Sequence, residues 1–185
     1  MKTFKFALIA VGLFFLGGLI AFYFYGKRSK VVASAQIVSD FDVNKYLGTW
    51  YEIARYESSF EKNLKNVTAQ YSLAEDGKVI VLNKGQDTNS GEWKDIQGKA
   101  RFRGETNIAA LEVSFFGPFY SGYNVIELDA DYSYALVYGE NHRYLWILAR
   151  EKSISEEVKN KLLETAAKDG YDTSTLLWVE HDAID

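Results

Sequence analysis

Beyond Asp40 apolar and polar residues alternate in short runs separated by turn formers, the period-two signature of half-buried strands. Eight such runs fall near residues 49–55, 66–74, 78–84, 94–103, 109–116, 122–129, 133–139 and 143–150. Their connections are short. Glu75-Asp76-Gly77, Asn89-Ser90-Gly91, Asp129-Ala130-Asp131 and Gly139-Glu140-Asn141 supply residues that tolerate turn geometry. Consecutive strands joined this way predict an antiparallel meander. Closing eight of them on themselves removes the exposed sheet edges. The alternation is clearest in the fourth run, where Ile96, Gly98, Ala100 and Phe102 oppose Gln97, Lys99, Arg101 and Arg103. In the fifth, Leu111, Val113 and Phe115 oppose Glu112 and Ser114. After the eighth run, Ile154, Val158, Leu162 and Ala166 recur at every fourth position and predict one helix packed outside the sheet. Ser153 followed by Glu156 reads as its capping box and Gly170 as its stop. A short strand over 176–179 ends the pattern.

The N-terminus differs in kind. Residues 6–26 run for 21 positions without a charge, long enough to cross a bilayer as a helix. The cluster Phe22-Tyr23-Phe24-Tyr25 followed by Lys27 and Arg28 suits an interfacial aromatic belt with a cationic stop. A secretory signal would have a shorter apolar region, although Ala33-Ser34-Ala35 would serve as a cleavage site. The length favours an uncleaved anchor over a cleaved signal. The expected organisation is therefore an anchor or signal segment over 1–26, a polar tether over 27–40 and a folded domain over 41–185. Flanking cations on both sides leave the orientation open.

Charge and composition narrow the chemistry. Five of the 21 cations lie in residues 1–35 with no acid beside them, leaving 16 against 25 acids in the remainder, a net of −9. Such a domain repels phosphate backbones, so nucleic acid is excluded as a partner. The sequence contains no cysteine, which removes disulfides, thiolate catalysis, cysteine-held metals and cysteine lipidation. His142 and His181 are the only histidines and have no partner at metal-ligand spacing; both read as solvated. No nucleophile elbow, phosphate loop or placed carboxylate pair appears, so neither catalytic residues, metal nor cofactor is expected.

Three motifs then occur in order at strand ends. Gly48-Thr49-Trp50-Tyr51 opens the first strand, Asp131-Tyr132 lies between the sixth and seventh, and Arg150 ends the eighth. Together they resemble the three signature motifs of the lipocalin family, with Ala130 standing where the second motif has threonine. Within that family, Trp50–Arg55, Val113–Tyr120 and Gly122–Ile126 are similar to the bacterial lipocalins of the Blc type and to apolipoprotein D. Those bacterial members carry a lipoprotein cysteine that this sequence lacks, so its attachment must differ.

The resemblance implies an all-β, eight-stranded up-and-down barrel with the helix outside and one hydrophobic ligand inside. It also implies that Gly48, Trp50, Asp131, Tyr132 and Arg150 are scaffold, with the arginine packed over the tryptophan at the barrel's narrow end. Counting back from Arg150 by twos puts Leu148, Trp146 and Tyr144 on one face, which the resemblance makes the inner one. The same count assigns to the interior Val67, Ala69 and Tyr71; Val79 and Val81; Ala100 and Phe102; Val113 and Phe115; Tyr123, Val125 and Glu127; and Tyr134, Leu136 and Tyr138. That lining suits an acyl chain with a polar end, and Ala69, Gly98 and Ala100 would leave it room. Composition alone leaves a filled core equally open; the resemblance favours the cavity. Glu127 would be a satisfied structural carboxylate or a contact for a ligand head group.

The implied role is storage or transport of a fatty acid or lysophospholipid for membrane upkeep, by a protein held to the membrane with its domain exported. A homodimer stays open. The alternatives are a filled barrel with a structural or partner-binding role, and a lipid-modifying enzyme.

Overall fold

The computed structural model describes residues 32, 34–58 and 61–183. The expected anchor or signal helix over 1–26 lies outside the described residues. Among the described residues no helix is long and apolar enough to cross a membrane.

A one-turn helix α1 (Val43–Tyr46) leads into eight antiparallel strands: β1 (Gly48–Arg55), β2 (Leu64–Leu73), β3 (Val79–Asp87), β4 (Trp93–Phe102), β5 (Ala110–Phe116), β6 (Phe119–Leu128), β7 (Tyr134–Tyr138) and β8 (Leu145–Ala149). Each strand pairs with the next, and β1 pairs with both β2 and β8, which closes the barrel. Every expected strand is present. Gly77 and Gly91 take φ of 77° and 74° in the turns where positive φ was expected. At the β6–β7 turn Asp129 Oδ2 instead accepts from the Asp131 and Ser133 amides and the Ser133 hydroxyl.

Helix α2 (Glu156–Lys168) lies against the outside of the barrel. Its cap is Ser155, whose side chain accepts from the Val158 amide, rather than the expected Ser153. Leu162 and Ala166 are buried under it, Ile154 and Val158 pack at its margin, and Gly170 ends it at φ 89°. The short β9 (Leu177–Trp178) adds to β1 beyond the closed barrel. Hydrophobic burial therefore forms two bodies back to back. One lies inside the barrel around Trp50, Tyr71, Val125 and Val137; the other lies between the barrel wall and α2 around Ile53, Leu136, Ile147 and Leu162.

The polar tether expected over 27–40 is in part packed structure. Val32 is buried beside the α2 cluster, and Ile37 and Val38 pack against barrel residues. The Val38 amide donates to Val125 O, and its carbonyl accepts from Ala109 N, both at 3.0 Å. The small apolar residues Val32, Ala35, Ile37 and Val38 give this stretch a face that a tether would not need.

Candidate functional site

The antiparallel order fixes which loops share an end. The β2–β3, β4–β5 and β6–β7 connections meet at one end; the β1–β2, β3–β4, β5–β6 and β7–β8 connections meet at the other.

The first end is sealed. Arg150 stacks its guanidinium 4.0 Å from the Trp50 ring centre and donates to Thr49 O, Lys45 O and Leu47 O at 2.8–2.9 Å. Its Nε reaches Tyr132 O at 3.3 Å, which ties the third motif to the second. Tyr132, at φ 59°, turns its hydroxyl to accept the Asp42 amide at 2.8 Å, while Asp131 beside it stays exposed. Gly48 sits at φ 92°, where a side chain would be strained, and the guanidinium passes 3.5 Å from the place a Cβ would take. The motif residues thus form one cross-braced plug around α1. Fully desolvated, such a cation–π contact contributes about 2 kcal/mol.

Above the plug lies a cavity of about 450 Å³, inside the roughly 300–1,000 Å³ range of pockets that enclose small ligands. Val67, Ala69, Tyr71, Val79, Val81, Ala100, Val113, Phe115, Tyr123, Tyr144 and Trp146 line it, as the strand count expected. Phe102 and Val125 belong to the same inner cluster, below its wall. Phe41, Tyr46, Leu47 and Leu148 complete its floor and side. Gly98 leaves no room, contrary to expectation: a Cβ there would meet the Phe115 ring at 2.7 Å and Ser114 O at 2.8 Å. Its missing side chain is the space that Phe115 occupies.

Four expected lining residues face the other way. Tyr134, Leu136 and Tyr138 belong to the outer cluster under α2; the Tyr138 hydroxyl donates to Asp169 Oδ2 and Lys161 Nζ reaches the Tyr134 hydroxyl. The cause is register. Tyr138 pairs with Leu145 and Leu136 with Ile147, so β7 presents Ala135 and Val137 beside the inward Leu148 and Trp146. Glu127 is also outside, 3.2 Å from Lys161 Nζ and 3.3 Å from the Thr165 hydroxyl. A β-bulge puts Ile126 opposite no partner, with Val125 pairing to Val137 and Glu127 to Leu136, which reverses the facing beyond it.

The inward carboxylate is Glu52. A second bulge, at Ile53, lets Glu52 pair with Leu148 and Arg55 with Trp146, so both point inward although three positions apart. Arg55 Nη1 donates to Glu52 Oε1 at 2.7 Å and Nη2 to Glu61 O at 2.6 Å; both side chains are buried. Burial pushes the Glu52 carboxyl up to about 8, Glu61 adds to the rise and Arg55 opposes it. At the floor, the Tyr123 hydroxyl lies 2.7 Å from that of Tyr46 and 2.8 Å from that of Tyr71. Burial raises all three phenols well above their ordinary value, so they remain neutral donors and acceptors. The counting scheme did not place Tyr46, Glu52 or Arg55 inside. For Glu52 and Arg55 the signal was charge in an otherwise apolar first strand; Tyr46 lies in α1, outside the strand count.

His142 is exposed as expected, with Nε2 2.8 Å from Asp169 O, whereas His181 is half-buried, with Nε2 2.9 Å from Glu52 O.

The lipocalin-like domain family matches residues 41–181. The chain is 53% identical over 144 residues to outer membrane lipoprotein Blc of Escherichia coli K12, covering 78% of this chain and 81% of that one. It is 36% identical over 144 residues to apolipoprotein D of Cavia porcellus, covering 74% and 75%. Among solved structures, insecticyanin of the tobacco hornworm Manduca sexta superposes with a TM-score of 0.66 at 21% identity, over 83% of this chain and 88% of that one.

Proposed function

This chain belongs to the lipocalin family, whose members here are binding proteins rather than enzymes, and we propose that its cavity holds one fatty acid or lysophospholipid at the cell envelope. The observation that carries the reading is the polarity of the barrel. One end is plugged by Arg150 and Trp50, the middle is apolar, and charged groups collect at the open end.

An acyl chain would lie among Ala69, Val79, Val81, Ala100, Val113 and Trp146, where each buried methylene contributes about 0.8 kcal/mol. Its polar end would meet Lys84, Lys94, Asp95 and Glu61 at the mouth. Both signs of charge are present there, which suits a zwitterionic head group better than a bare carboxylate. Residues 6–26 would anchor the protein, taking the place of the cysteine that this sequence lacks. The similarity to the outer membrane lipoprotein Blc of Escherichia coli supports an envelope address.

Solvent extraction of the purified full chain, read by mass spectrometry, tests the reading. The expected result is one fatty acid or lysophospholipid per barrel. A barrel that carries no lipid and takes up no amphiphile saturably would reject it.

A further inference from the structure

We infer that the open rim of the barrel is a docking surface for a lipid bilayer, seated on the same membrane that residues 6–26 enter. The inference rests on the anchor reading above.

Three large apolar side chains crown that end. Trp93 is 52% exposed at the base of the β3–β4 hairpin, and Phe116 and Phe119 are 61% and 66% exposed, paired across the β5–β6 tip. Lys84 Nζ lies 4.6 Å from the Trp93 ring centre, the cation-and-aromatic pairing that suits the head-group layer. Phe116 and Phe119 also border the cavity mouth, so a lipid leaving a docked bilayer would enter the barrel without crossing water.

The path of the N-terminal segment points the same way. At the sealed end Phe41 N donates to Asn107 O and Asp42 N to the Tyr132 hydroxyl. Running backward from there, the chain passes Val38 against Val125 and Ala109, and reaches Ser34, whose hydroxyl donates to Asp169 O at 3.2 Å. That carbonyl also meets His142 of the β7–β8 connection, which belongs to the open end. The segment thus climbs the barrel wall and leaves at the rim. Residues 27–33 span at most about 25 Å between Ser34 and the apolar stretch, and the open end is the nearer one.

Charge selects the kind of lipid surface. The four open-end connections (56–63, 88–92, 117–118 and 139–144) carry Glu57, Glu61, Glu92 and Glu140 against Lys62 and Arg143. At the strand ends beside them Lys84 and Lys94 are balanced by Asp87 and Asp95, so the rim stays net acidic. An acidic rim on an acidic domain gains nothing from an anionic leaflet, so aromatic burial is the attraction and a zwitterionic surface suffices.

The absence of native cysteine makes the test clean. Single cysteines placed by Ser90→Cys in the β3–β4 turn and by Asp76→Cys in the β2–β3 turn would carry an environment-sensitive fluorophore in the full chain, reconstituted with phosphatidylcholine vesicles. The Ser90 probe should shift to the blue, be quenched by spin-labelled lipid and stay so in high salt; the Asp76 probe should report water. Adding Phe116→Ser and Phe119→Ser should return the Ser90 probe to water while the chain still floats with the vesicles. A Ser90 probe that reports water on floating protein, an Asp76 probe that enters lipid, or a chain that does not float overturns the inference. Lipid content of the same samples is read separately, so an empty cavity and an undocked rim are distinct failures.

Discussion

The two ends of this barrel are built from similar residue types and do opposite things. At the sealed end Trp50, Arg150, Tyr132 and Tyr46 meet, and the polar atoms of the arginine are spent on backbone carbonyls of α1, β1 and the β6–β7 turn. At the open end Trp93, Phe116, Phe119 and Arg55 sit on or under separate hairpins. Arginine at the plug is only partly buried and is held by neutral acceptors; Arg55 is wholly buried and needs a carboxylate. The difference shows that aromatic and cationic residues do not themselves make a plug or a mouth. What decides is whether their connections are bridged to one another across the barrel axis.

The largest test of that contrast is Arg55→Met. Above about pH 8, where Glu52 is ionised, it leaves the carboxylate buried without its cation, which should lower stability by about 3–5 kcal/mol, read as a fall in the unfolding midpoint. Near neutral pH, where the carboxyl holds its proton, the loss should be smaller. The double variant with Glu52→Gln should recover much of the loss. A pH series adds the sign. The Glu52 carboxyl is pushed up to about 8, so the folded chain binds its proton more tightly than the unfolded chain does. That contribution is full below the ordinary carboxylate range and is lost as pH rises toward about 8. Glu52→Gln should flatten the slope across this window; an unchanged slope would assign it to other groups.

Arg150→Ala at the plug should cost less, roughly 1–3 kcal/mol, because its guanidinium is partly solvated and its acceptors can turn to water. Bound lipid measured well below the transition should be unchanged. Loss of lipid at unaltered stability would instead make Arg150 part of the binding site. Smallest is Tyr123→Phe, which removes the hydroxyl joining Tyr46 and Tyr71 and should cost about 1 kcal/mol.

The sealed end was legible in the sequence, because Gly48, Trp50, Tyr132 and Arg150 act through side-chain identity at fixed strand ends. Strand order and the inward faces of Val67–Tyr71, β3 and β4 were legible for a similar reason, since tight turns such as those at Gly77 and Gly91 keep the period of two intact over those stretches, whereas β2 shifts register between Lys65 and Thr68. The open end and the helix-covered wall were not. One inserted residue at Ile126 turned Glu127 outward, and one at Ile53 turned Arg55 inward. On β7 the error was register: the connection after Tyr138 pairs it with Leu145, so odd positions of β7 share a face with even positions of β8. Leu136 and Tyr138 are as apolar as Ala135 and Val137, and α2 gives the outer face a second core to fill. Alternation could not tell those two cores apart.

The claim that unites the two ends is that a lipid occupies the space between them. Ala100 is buried on the cavity wall in the sealed half of the barrel, opposite Val79, and Ala100→Trp would fill the inner end of the channel without touching the rim or α2. Lipid extracted from the purified native chain and from this variant, counted per barrel by mass spectrometry, is the direct measurement. The account predicts about one lipid in the native chain and almost none in a variant that still unfolds cooperatively. Equal lipid in both would place the ligand outside the barrel and contradict it.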